Sequence, residues 1–253
     1  MTDAPTPAAP IGDDVPERVR PTWRPWEALF VFAIAIVVGN LLSTPFVSRH
    51  PTTAQQLGAG LVGEISLGAA VLGWLYVGHR ASMAALGVPR RPVREIATAL
   101  VAGLAMYALF VFGFGWILAR ILEAISSARH VGVPRQLPNH IVGANALAAG
   151  VLVLIAAPVC EELFFRGFIF KSLRNRLGFA ASAAISAVLF GLAHLQEAIP
   201  GPWQGAVLLV TVLAFVGFGL AFVYERRGTI VAAMAAHGAF NLFGFLVLLR
   251  VIG

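Results

Sequence analysis

Charge is what this 253-residue chain has least of: Asp, Glu, Lys and Arg together make up 12% of it, about half the share of a soluble domain. Lysine is almost missing, with Lys171 alone beside seventeen arginines. A single cysteine, Cys160, excludes an internal disulfide and a cysteine metal cluster. The net charge of +6 is no nucleic-acid footprint, because the basic residues are scattered through short connections instead of clustered. The first 25 residues lack the apolar core of a cleavable signal and hold Asp3, Asp13, Asp14, Glu17 and six prolines. They read as a disordered tail.

What the chain has instead is apolar length: 58% of it is hydrophobic and its mean hydropathy is +0.83. Seven runs, roughly 26–47, 57–78, 96–119, 141–170, 179–195, 204–224 and 229–252, can each reach across about 30 Å of hydrocarbon. Lipid admits only helices or closed barrels, and these runs lack the period-two alternation of barrel strands. The expected fold is an all-α bundle of about seven transmembrane helices. Residues 26–252 read as one membrane domain, with the chemistry concentrated at about 141–250 and a cytoplasmic tail over 1–25. With the amino terminus inside, twelve basic residues fall on cytoplasmic segments and five outside, the bias that sets orientation. Richness in Ala, Gly and Arg suggests a GC-rich bacterial source, and hence a multi-pass protein of the plasma membrane.

Ionisable side chains within hydrocarbon cost about 2.5–3.5 kcal/mol even on lenient insertion scales, so each is a functional candidate by default. Here they are Glu64 in the second span, Glu161, Glu162 and Arg166 in the fourth, His194 ending the fifth, and His237 with Asn241 in the seventh. Counting about 1.5 Å per residue from the cytoplasmic ends puts Glu161 and His237 at roughly 15 and 13 Å depth, and His194 and Asn241 at roughly 24 and 20 Å. That is one common level within a turn or two. His237 and Asn241 share a helical stripe, as do Glu162 and Arg166. Glu161 points about 100° from Glu162, so the two carboxylates are expected not to face one partner. The simplest division pairs Glu162 with Arg166 and turns Glu161 to a cavity, near a kink at Pro158.

A carboxylate near two imidazoles can hold and deprotonate a water molecule, the nucleophile of peptide hydrolysis. An Asn amide beside a His can donate to the oxyanion formed as water attacks a carbonyl. Glu161, His194 and His237 are equally a ligand set of several catalytic zinc sites, so zinc and no cofactor both stand open at this level. No His-Glu-x-x-His helix, no Asp within an apolar span and no Gly-x-Ser nucleophile occur, which removes site-2-type, aspartyl and rhomboid-like designs.

Three strings carry a resemblance. Glu161-Glu162-Leu163-Phe164-Phe165-Arg166 is similar to the EExxxR signature of the CAAX-protease and bacteriocin-processing (CPBP, or Abi) membrane proteins. Phe190 to His194 is similar to their FxxxH motif, and His237 to Asn241 to their HxxxN motif, in the same order and over about residues 150–245. The resemblance implies an intramembrane endopeptidase like the type II CAAX prenyl endopeptidases, acting on a peptide or protein at the membrane. By motif match, Glu161 is the general base, His194 helps bind the water or a metal, and His237 and Asn241 stabilise the oxyanion. Glu162 and Arg166 brace the site.

Plainer readings compete. Glu162 with Arg166 could be a structural ion pair, His194 an interfacial histidine, and His237 with Asn241 interhelical hydrogen-bond glue. Phe190 and Cys160 read as packing, and Glu64 as an isolated membrane glutamate outside the site. Two other function classes follow: a non-catalytic immunity or scaffold protein using the same cavity, and a proton-coupled transporter relaying through Glu64 and Glu161.

Overall fold

The computed structural model describes residues 22–87, 92–133, 141–199 and 201–249. Most of the tail expected over 1–25 therefore lies outside the described residues. Seven long apolar helices are present among them: α1 (Glu27–Phe46), α2 (Thr53–Gly78), α3 (Ile96–Ser126), α4 (Ala144–Arg174), α5 (Phe179–Ala198), α6 (Trp203–Arg227) and α7 (Ile230–Leu248). The chain is a multi-pass helical membrane protein. Each helix falls on one of the seven apolar runs, and the largest difference is α3, which continues to Ser126 through a last turn holding Arg120 and Glu123. Their ion pair, Nη2 to Oε1 at 2.8 Å, lets charge extend the helix past its apolar stretch.

Local chemistry sets the ends. Thr52 caps α2 through a reciprocal box with Gln55, and Gly228, at φ +68°, ends α6 in the left-handed conformation that suits glycine. Packing then follows the small residues. A Cβ on Gly103 of α3 would lie 2.1 Å from the Ala236 carbonyl oxygen of α7, and one on Gly191 of α5 would lie 2.4 Å from that of Val210 on α6. Such contacts let helix backbones close on one another where no hydrophobic force drives association in lipid. Helices α4, α6 and α7 bury the largest shares of their surfaces, whereas α1, α2 and α3 show apolar residues outward.

The ends of several helices meet on one face. Trp23 is buried, stacks on Phe168 at the end of α4, and donates its indole N–H to the Phe168 carbonyl at 3.0 Å. His79, just past the end of α2, and Trp74 of α2 both contact Glu27 Oε2, at 2.6 and 2.7 Å. Lys171 reaches the Ala85 carbonyl, and Ile230 N–H bonds Gly87 O at 3.1 Å.

Candidate active site

The site is built on an irregular α4. Two stretches wind as π-helix, Leu152–Ala156 and Leu163–Phe170, on either side of the α-helical Ala157–Glu162. Widened turns of this kind gather at functional sites. Pro158 has no N–H to give, so it leaves the carbonyls four and five residues upstream unserved from its own position. The seventh helix bonds one and packs against the other. Asn241 Nδ2 donates to Val153 O at 2.8 Å, and Gly238 lies so near Leu154 that a Cβ would be 2.8 Å from its carbonyl oxygen. The proline, the glycine and the asparagine thus dock α7 against α4 over the two turns that lead up to the carboxylates.

Glu162 and Arg166 are wholly buried, and Arg166 Nη1 bonds Glu162 Oε1 at 2.8 Å. Nη2 donates to Gly217 O of α6 at 2.9 Å, and the guanidinium lies 4.7 Å from the Phe190 ring centroid. The same Glu162 oxygen takes a second bond, from His237 Nδ1 at 2.9 Å. Since a carboxylate accepts, Nδ1 carries the proton and Nε2 faces the cavity. On α5, His194 Nδ1 donates to Phe190 O at 2.8 Å, which again turns Nε2 inward. His194 stands where the α-helix Phe179–Ala193 ends, and this break frees its ring from the helix face. Phe190 is 1% exposed and touches Arg166, His194 and His237 at once, so it packs the site from behind.

Both Nε2 atoms converge on Glu161: His194 Nε2 is 3.7 Å from Oε1, and His237 Nε2 is 3.9 Å from Oε2. These gaps exceed a direct hydrogen bond. Glu161 Oε2 is buried without a hydrogen-bond partner. Glu161, His194, His237 and Asn241 all line one cavity of about 800 Å³, whose remaining wall is mainly apolar and includes Tyr107, Val111, Leu213, Phe240 and Phe245. The expectation that the adjacent carboxylates face no common partner needs correction: they share the His237 ring, one at each nitrogen.

The donors suit zinc in kind, but their spacing does not. Two ligands at about 2.1 Å on a tetrahedral metal stand roughly 3.4 Å apart, and both pairs here are wider. Among the described residues no trio of His, Cys, Asp or Glu side chains has metal-holding spacing.

Two acidic residues outside the motif set line the same cavity, Glu64 of α2 and Glu197 of α5. The signal for Glu64 was its position in hydrocarbon; what the sequence withheld was the face α2 turns to α4. Cys160 is buried where α2 crosses, its Sγ 2.7 Å from where a Gly68 Cβ would be, consistent with a packing role.

A buried carboxylate–imidazole cluster inside a seven-helix membrane bundle is the architecture of an intramembrane site, and the comparisons narrow it. Residues 143–243, from the start of α4 into α7, are similar to the family described as Rce1-like: Type II CAAX prenyl endopeptidase Rce1-like. It is 33% identical over 90 residues to "UPF0177 protein YxdF" of Lactococcus lactis subsp. lactis (strain IL1403), covering 36% of this chain and 44% of that protein. It is 30% identical over 116 residues to "Putative membrane peptidase YdiL" of Bacillus subtilis (strain 168), covering 44% of this chain and 43% of that protein. The matches span less than half the length of these curated relatives. No solved structure matches the chain.

Proposed function

We propose that the protein is an endopeptidase of a bacterial plasma membrane, cleaving a membrane-associated or lipidated peptide in the cavity between α4, α5 and α7. The observation that carries this reading is the convergence of two Nε2 atoms on Glu161, at 3.7 and 3.9 Å, with its Oε2 buried and lacking a hydrogen-bond partner. A water molecule seated beside the carboxylate on the cavity side can bond both Glu161 and an imidazole Nε2. His194 holds the water and Glu161 removes its proton as the oxygen attacks the substrate carbonyl. Glu161 passes that proton to His237 Nε2, whose N–H then faces the oxyanion beside the Asn241 amide hydrogen not used on Val153. Glu162, held by Arg166, fixes the His237 tautomer through Nδ1. The amino terminus lies on the cytoplasmic side by the arginine bias, together with the face where Trp23, His79, Gly87 and Phe168 meet.

The test uses the full chain in lipid vesicles and a quenched-fluorescent peptide library presented with and without acyl or prenyl chains. Glu161→Gln and His194→Ala should each lower turnover at least 10²–10⁴-fold, the usual yield of positioned acid–base groups, with insertion and melting unchanged. Cleavage within threefold of wild type in Glu161→Gln would falsify the reading.

A further inference from the structure

Peptide hydrolysis needs one proton more than Glu161, His194 and His237 deliver. The water proton taken by Glu161 goes to hold the oxyanion, yet the peptide nitrogen must also be protonated before it can leave. A second carboxylate stands across the cavity. The α2 and α4 helices run in one register: a Cβ on Gly60 would meet Leu152, and one on Gly68 would meet Cys160, a constant offset between parallel helices. Glu64 lies midway between those glycines, on the same face by its four-residue spacing from each. Its opposite numbers on α4 are therefore Ala156 and Ala157, one turn before Glu161. Both are too small to fill the space, and Glu64 enters the same cavity as Ala157 and Glu161. Its Oε2 is buried with no hydrogen-bond partner.

We infer that Glu64 is a further catalytic residue, the acid that delivers a proton from Oε2 to the leaving nitrogen. This rests on the endopeptidase reading and adds a role to it. As the tetrahedral intermediate collapses, the carbon–nitrogen bond breaks, its electron pair stays on nitrogen, and that nitrogen takes the Glu64 proton. The proton first removed from water returns through cavity water to Glu64, so each turnover consumes one water and leaves the enzyme unchanged. Two carboxylates in one confined cavity divide the work in this way because both cannot be ionised together at low cost. The charged or titratable groups that face Glu64 are Glu161 and Cys160 from α4, His194 and Glu197 from α5, and His237 and Tyr107 across the cavity.

The experiment compares wild type, Glu64→Gln and Glu64→Asp in vesicles, on the best peptide from the library. Glu64→Gln keeps size and polarity but has no proton to deliver. It should lower kcat about 10²–10⁴-fold with KM within threefold and should remove the alkaline fall of the pH–kcat profile, while Glu64→Asp recovers part of the rate. Infrared spectra of the vesicles should contain a protonated carboxylic acid band at neutral pH that disappears in Glu64→Gln. An unchanged kcat or alkaline limb in Glu64→Gln, or no such band in wild type, overturns the assignment. An inactive Glu161→Gln beside a fully active Glu64→Gln sinks this inference alone, whereas an active Glu161→Gln sinks the underlying reading.

Discussion

Replacing Arg166 by Met tests what holds the site together. Glu162 is wholly buried, and among the described residues its arginine partner is Arg166, which also donates to the Gly217 carbonyl on α6. Methionine fills similar volume but leaves a carboxylate in the protein interior with only the His237 N–H to answer it. Removing one partner of a buried pair costs about 3–5 kcal/mol, because the other charge remains uncompensated. At about 2–4 °C per kcal/mol for a chain of this size, melting in detergent should fall by roughly 6–20 °C. The double variant Glu162→Met with Arg166→Met removes both charges and should recover most of that loss. It should nonetheless stay inactive, since His237 Nδ1 then has no acceptor and the ring loses its fixed tautomer. A single Arg166→Met variant that melts within 2 °C of wild type would refute the argument that this pair fixes α4 to α6 and α7.

Two further outcomes follow from the geometry. Gly103→Ala places a methyl 2.1 Å from the Ala236 carbonyl, so α3 and α7 must part; the expected cost is about 1–3 kcal/mol, read as a lower melting temperature with cleavage reduced to match. Chelation, checked by metal analysis, should leave cleavage unchanged, because among the described residues no three His, Cys, Asp or Glu side chains form a metal-holding group. One bound metal per chain, with activity lost and restored on its removal and return, would refute the water-centred mechanism.

Much of the fold was legible because lipid punishes polarity: seven apolar runs in sequence became seven helices. The same penalty made Glu161, His194 and His237 visible one by one. What stayed hidden was how helices face each other. That Glu162 serves both Arg166 and His237 depends on α7 lying against α4, which the gap at Pro158 and the small side of Gly238 permit. Glu64 read as isolated because no spacing within α2 reveals a register with α4. The π-helical stretches left no mark either, since they are settled by which carbonyls find outside donors: Ser186 reaches Phe165 O at 3.0 Å, and Trp23 reaches Phe168 O.

That last contact reaches beyond packing. Trp23 precedes the first transmembrane segment, yet its ring is inserted beside the far end of the helix bearing the paired glutamates. The opening span is therefore no interchangeable anchor. A foreign leader grafted in place of the residues ahead of Glu27 would leave an indole-sized void against Phe168, two residues along the helix from Glu162's arginine partner.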